Sequence, residues 1–572
     1  MKSLVHWKYG YGYKMFLVER LRKTNRYFWL GPLVLMFFLI STTCPANDDW
    51  ARNEQLFRAN VDVILDAYNI PSLSACILKK NTDGVWEIAW EDVYGYQVAL
   101  LPKIKAVRST IYAIGSITKT FSATAVMKLV DEGLIDLDED VSSYLPFQIK
   151  NPGLSCDVLD TSVGPITIRH LLSHRSGLPR TPVDFFTQYK DLTWLDFGVF
   201  PTIESMRHYL DKKESWAHKS PDTGESEVFF KPGEKYCYSN VGYLILGVVV
   251  DQIINKDVPV EKRRTWKHYV IENILNPLGM ENTKFYWLDY PIGTSRAQGY
   301  IEKSFLSRPN PDFIDKVDGS IPKYILVPQN PPIKNPTLGI QYNVGGAAGQ
   351  MLSTARDLAY FMTVHLNAGV GYMRNPQGGI IYGKDHKPKD VRILSDKSVQ
   401  IMHDFDDADL CKVENSYDTG LAKLTGYALG WMRLNWGGRY WNYPWNPGID
   451  PDKGVDWQKL ETAGISRAEM LRINGEDKGG GLDVEGNGGD LPGFHSGMYR
   501  VSDNLAIIYL VTENYSEEKR DESRMQPDRF AYNTTQYTGG DEIKGYDGAL
   551  PHNLVKYSEI QHLLLQKAAS LR

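Results

Sequence analysis

The chain has 572 residues, a net charge of -5, 42% hydrophobic residues and 12% aromatics. That length buries a large core, the composition excludes a disordered or collagen-like chain, and the mild acidity excludes a global basic field for nucleic acid. Its five cysteines include no Cys-x-x-Cys, so neither a zinc ribbon nor a thioredoxin-type site is indicated.

The first 46 residues read as a targeting segment. Lys2, Lys8, Lys14, Arg20, Arg22, Lys23 and Arg26 stand against Glu19 alone, and an apolar run follows from Tyr27 to Thr43. This is the pattern of a signal peptide or an uncleaved membrane anchor, with the positive flank in the cytosol and the body outside it. The sequons Asn514-Tyr515-Ser516 and Asn533-Thr534-Thr535 are consistent with a secretory route.

Residues 50–68 predict an amphipathic helix that ends at Ile70-Pro71. SLSACILKK, a turn at Asn81 to Gly84, and VWEIAW then predict a β-hairpin, with Cys76 as a small buried hydrophobe. Next comes Gly115-Ser116-Ile117-Thr118-Lys119. Apolar residues at Ile117, Phe121, Ala125 and Leu129 mark a helical face, and Gly133 follows as a stop. Ser116 is expected at the helix N-terminus with Lys119 one turn along, the layout of a serine nucleophile beside an amine base. Ser-x-x-Lys recurs at Ser320 and Ser516, in a proline-rich loop and a charged stretch, and neither opens an amphipathic helix.

Helical patches fill the middle of the chain: 166–180, VGYLILGVVVDQIINK, 353–362 and 395–404. Residues 301–338 are rich in Pro and Asn and read as irregular. Strand signals return in GYALGWMRLNW, HSGMYRV and LAIIYLVTEN. Between them, 436–490 is a loop region rich in Gly, Trp and Tyr, and its aromatic part, Trp436 to Trp457, is a candidate lid. Residues 516–550 read as a surface insertion, and LVKYSEIQHLLLQKAASL as a closing helix. Strands from both ends and helices from the middle predict an α/β (α+β) fold. The body, 48–572, divides into a sheet lobe from 48–110 and 415–572 and a helical lobe over 111–414.

Tyr238-x-Asn240 supplies a second element for acyl transfer: a phenol that can exchange protons and an amide that can donate and accept. Together these stretches resemble the serine β-lactamase and penicillin-binding-protein superfamily, in its class C-like branch. The resemblance runs from about Ile70 to Glu513 in ordered blocks: 114–146, 166–179, 232–247, 276–283, 345–361 and 489–514. It implies a five-stranded antiparallel sheet flanked by terminal helices, with an all-helical lobe inserted.

It also implies roles. Ser116 is the expected nucleophile, Lys119 the base and Tyr238 the proton relay, with Asn240 binding substrate. The backbone N–H groups of Ser116 and Asp490 form the expected oxyanion hole. The third motif, usually a cation, a small residue and Gly, aligns with Asn487-Gly488-Gly489 as further substrate contacts. An uncharged amide there weakens the expectation of a carboxylate-bearing substrate, since a neutral hydrogen bond is worth about 1 kcal/mol against roughly 1.5–3 for a charge-assisted one. His495-Ser496-Gly497 spells the motif literally but falls where the family has an ordinary strand. His174 belongs to a block expected to be structural and away from the nucleophile. Neither a metal nor a cofactor is expected, and the expected partner is a small-molecule or peptide substrate. The expected function is a serine hydrolase working through an acyl-enzyme on an ester, amide or D-peptide/β-lactam-type substrate. The alternative is a non-catalytic binding or scaffolding protein on the same fold.

Overall fold

The computed structural model describes, apart from single positions and gaps of two or three residues, residues 54–149, 164–178, 203–211, 231–302, 346–406, 422–436, 482–515 and 560–571. It adds the short stretches 218–219, 226–228, 324–326, 449–450 and 454–455. The N-terminal targeting segment, most of the aromatic loop, the 516–550 insertion and the sequon at Asn533 lie outside the described residues.

The first helix among the described residues, α1 (Glu54–Ala67), precedes β1 (Ser72–Lys80) and β2 (Trp86–Val98). These pair antiparallel, and β2 runs straight on through the EDVYGYQ segment. A short edge strand, β3 (Ile104–Lys105), pairs with the end of β2. The middle of the chain contributes α2 (Thr118–Asp131), α3 (Ile168–Leu172), α4 (Asn240–Ile254), α5 (Ala355–Leu366) and α6 (Asp396–Met402). Five strands follow: β4 (Ala422–Tyr427), β5 (Met432–Trp436), β6 (Leu482–Leu491), β7 (Phe494–Ser502) and β8 (Leu505–Thr512).

These eight strands form one sheet in the order β4-β5-β6-β7-β8-β1-β2-β3, so the expected five strands are corrected to eight. Three features account for the difference. GYALGWMRLNW is not one strand but two, folded back at a turn where Ala428 N donates to Trp431 O at 2.9 Å and Gly430 has φ +86°. Gly486, Gly488 and Gly489 sit in β6, a full strand whose side chains give no alternation to read. The third addition is β3, two residues long and exposed.

The sheet has a core on each face. Alternate residues of β8 point to opposite sides: Leu505, Ile507, Tyr509 and Val511 meet α1 and the C-terminal residues Ile560, Leu563 and Leu564. Ala506, Ile508 and Leu510, with Cys76 from β1, meet the central helices. On that side the ring of Phe121 in α2 stacks on Phe361 in α5 at 3.8 Å between centroids. So α5 packs on the sheet, α2 packs on α5, and the turn Gly115–Ile117 just before α2 lies against β6.

Candidate active site

Ser116 lies in a single 3₁₀ turn, Gly115–Ile117, immediately before α2. Gly115 has φ +49°, a conformation that glycine adopts at little cost. Lys119, in the first turn of α2, is fully buried. Its Nζ donates to Ser116 Oγ at 3.1 Å and to Ala348 O at 2.6 Å. It also stands over the rings of Tyr238 and Tyr243, 4.8 and 5.6 Å from their centroids. Two hydrogen bonds and two aromatic faces replace the water that burial removes. Ala348 belongs to a 3₁₀ turn, Gly346–Ala348. Ser122, three residues after Lys119, donates to Ala347 O of that turn at 2.6 Å, so one face of α2 holds it twice.

Tyr238 approaches from the segment before α4. Its hydroxyl donates to Ser116 Oγ at 2.7 Å, so amine and phenol converge on one serine oxygen. The segment is fixed from below by Ser239, the N-cap of α4, whose side chain accepts from Gly242 N at 3.0 Å. Asn240 is the first residue of α4 and is half-buried.

His174, expected in a structural block away from the nucleophile, lies against Tyr238 and the residue after it. Its ring is 4.2 Å from that of Tyr238, and its Nδ1 accepts from Ser239 N at 3.0 Å. Tyr236, Tyr243 and Tyr427 complete an aromatic nest around it. Burial pushes the hydroxyls of Tyr243 and Tyr427 well above the ordinary phenol value, which keeps both neutral.

Strand β6 closes the site opposite α2. A Cβ on Gly489 would stand 1.9 Å from Ile114 O, and one on Gly115 would stand 2.9 Å from Asp490 N. The two backbones therefore touch, and the nitrogens expected to bind an oxyanion belong to neighbouring segments. Ser496 Oγ ties them by donating to Ile114 O at 2.9 Å. Asn487 is fully buried, and its Nδ2 donates to Gly430 O at 3.0 Å. The carbonyl it holds belongs to the β4–β5 turn that rests on α2, and this amide is engaged inside the protein. Gly488 faces the other side of the sheet, towards the Tyr499 hydroxyl. The Asp490 carboxylate pairs with His495 Nδ1, whose Nε2 is 3.3 Å from Tyr509 OH. Among the described residues no three of His, Cys, Asp or Glu come together as a metal site.

The site thus brings together Ser116, Lys119, Tyr238 and the 487–490 stretch. Sequence reasoning missed His174 and Ala348. The block around His174 was visible without showing its contact with Tyr238. Ala348 acts through a carbonyl, which no side chain announces.

A family model described as "Beta-lactamase" matches residues 57–528. A "Putative D-alanyl-D-alanine carboxypeptidase" of Escherichia coli (strain K12) is 26% identical over 323 residues, 53% of this chain and 61% of its own length. "Protein flp" of Staphylococcus aureus (strain MRSA252) is 28% identical over 218 residues, 38% of this chain and 35% of its own. The chain therefore spans less than two thirds of the length of each of these relatives, 61% and 35%. Among solved structures, a penicillin-binding protein homologue from Pyrococcus abyssi matches with a TM-score of 0.49 at 20% identity, covering 80% of this chain and 73% of that one.

Proposed function

The chain belongs to the beta-lactamase family, and from that premise we propose that it is a serine hydrolase working through an acyl-enzyme. The observation that carries this reading is the convergence of Lys119 Nζ and Tyr238 OH on Ser116 Oγ, at 3.1 and 2.7 Å. A weak nucleophile needs an adjacent base and a second group to protonate what leaves.

As Ser116 Oγ bonds to the acyl carbon, its proton passes to the unprotonated amine of Lys119. The carbonyl electrons collect on oxygen, which the backbone N–H groups of Ser116 and Asp490 receive. Collapse breaks the bond to the leaving alcohol or amine, which takes the Tyr238 proton, and Lys119 restores it. Water then adds to the acyl-enzyme by the reverse sequence, so the net consumption is one water per acid released. Asn240, at the start of α4, and the Gly488-Gly489 backbone orient the acyl group. Asn487 serves from inside, by holding Gly430.

The substrate is an ester, amide or D-peptide/β-lactam-type compound. The likeness to the putative D-alanyl-D-alanine carboxypeptidase of E. coli supports the peptide end of that range. Asn487 in place of a cation favours compounds that do not depend on a carboxylate for binding.

The test is covalent labelling of the native protein with a fluorophosphonate and a fluorescent penicillin. Stoichiometric labelling by either, absent in Ser116→Ala, is the expected result. A folded protein that neither probe labels would overturn the reading and leave a binding role on this fold.

A further inference from the structure

His174 straddles Tyr238. The backbone N–H of Cys237, the residue before it, donates to His174 O at 2.7 Å. The backbone N–H of Ser239, the residue after it, donates to His174 Nδ1 at 3.0 Å. Between these two bonds the rings of His174 and Tyr238 lie 4.2 Å apart with 36° between their planes. One fully buried residue therefore holds both neighbours of Tyr238 and one face of its ring.

His174 does this from an unfavourable backbone conformation, φ +58°. For a residue with a Cβ that region costs on the order of 1 kcal/mol or more and persists only where surrounding contacts impose it. The conformation turns the carbonyl towards Cys237 and the ring towards Ser239. Because Nδ1 accepts a hydrogen bond, the neutral ring carries its proton on Nε2. A proton on Nδ1 would face the Ser239 N–H donor to donor and release the segment.

We infer that His174 is a positioning residue for Tyr238, acting by accepting at Nδ1 and holding the phenol hydroxyl on Ser116 Oγ. The inference rests on the acyl-enzyme reading above and adds to it a residue that touches neither substrate nor Ser116. Asn at this position tolerates positive φ and places an acceptor where Nδ1 stands, whereas Gln reaches the Nε2 position and leaves Ser239 N–H unmatched.

The experiment compares fluorophosphonate acylation rates and thermal midpoints of wild type, His174→Asn, His174→Gln and His174→Leu. The same substitutions are then repeated in a Tyr238→Phe background, which keeps the ring and removes the hydroxyl. His174→Asn should stay within about threefold of wild type. His174→Gln and His174→Leu should fall on the order of 10- to 100-fold, the range that follows from displacing a reacting group by about 1 Å. In the Tyr238→Phe background all three should be nearly silent, because the group they position is gone. Packing alone would instead rank Leu above Asn and carry the losses unchanged into that background, and either result overturns the inference. Gln alone decides the ranking against Asn if the Leu variant does not fold. An unlabelled wild type would overturn the acyl-enzyme reading itself, whereas labelled wild type with unaffected variants would overturn only the role of His174.

Discussion

A fully buried lysine is costly unless its donors are matched, and Lys119 is matched by Ala348 O, Ser116 Oγ and two tyrosine rings. The surroundings hold an amine at one distance from one hydroxyl. Lys119→Met keeps the stem and removes the amine. It should remain folded, while fluorophosphonate labelling slows by roughly 10²–10⁴-fold, the usual worth of general-base help. A labelling rate within a few fold of wild type, in a variant with an unchanged thermal midpoint, would remove Lys119 from the role of base. Ser116 and Lys119 were legible in the sequence because their relation is local, three positions on one helical turn. The contact of Tyr238 with Ser116 joins residues 122 positions apart, and only the family resemblance pointed to it. The same holds for Asn487: its place on β6 followed from alignment, but its bond to Gly430 O depends on how the β4–β5 turn folds back.

Among the elements, α2 was legible and β6 was not, for opposite reasons. Ile117, Phe121, Ala125 and Leu129 repeat along one buried face, and the helix found is Thr118–Asp131, preceded by the 3₁₀ turn that carries Ser116. Strand β6 reads LDVEGNGGDL, with three glycines where alternation would normally show. Those glycines are required by closeness. A Cβ on Gly489 would meet Ile114 O at 1.9 Å, while one on Gly488 would meet the Tyr499 hydroxyl at 2.8 Å on the opposite face and Ser496 O at an ordinary 3.5 Å. Gly489→Ala should therefore push β6 off the Ser116 turn, lowering stability by about 1–3 kcal/mol as overpacking does and slowing acylation more than tenfold. Gly488→Ala should lower stability by a similar or smaller amount and leave acylation within about threefold, because it strains the far face. Urea midpoints and labelling rates measured side by side separate the two. Equal slowing in both variants would show that the strand's contact with Ile114 is not what sets the site.

At the scale of the whole molecule, a buried polar line runs from the helices towards the sheet. Thr124 of α2 meets His365 Nε2 at 3.0 Å, His365 Nδ1 meets His403 Nε2 at 3.3 Å, and His403 Nδ1 faces Glu485 of β6 at 3.9 Å. Arg433 and Arg500 also reach Glu485, at 3.5 and 3.3 Å. Burial lowers both imidazoles, His403 from its ordinary 6.5 to about 3 with Arg500 adding to the effect, and His365 well below its usual value with His403 adding. The unfolded chain therefore binds protons that the folded one refuses, and these histidines lower stability as pH falls below 6.5. Two buried carboxyls act the other way. Burial raises Asp251 to about 7 and Asp357 to about 6, from 3.8, so the folded chain takes up their protons first and gains stability as pH falls towards 3.8. Between about pH 6.5 and 4 the two pairs oppose one another, and below 4 only the histidine loss continues. Removing one histidine unbalances this opposition in a readable way. Gln at 403 can keep a polar contact to His365 without titrating. From pH 6.5 towards 3, wild type should lose stability relative to His403→Gln by up to about 1.4 kcal/mol per pH unit. Urea unfolding of both proteins at pH 7, 5.5 and 4 measures that difference directly, with every other titrating group common to the two. A constant difference across the three values would mean that His403 takes its proton while the chain is folded, and that the line between α2 and β6 admits a charge.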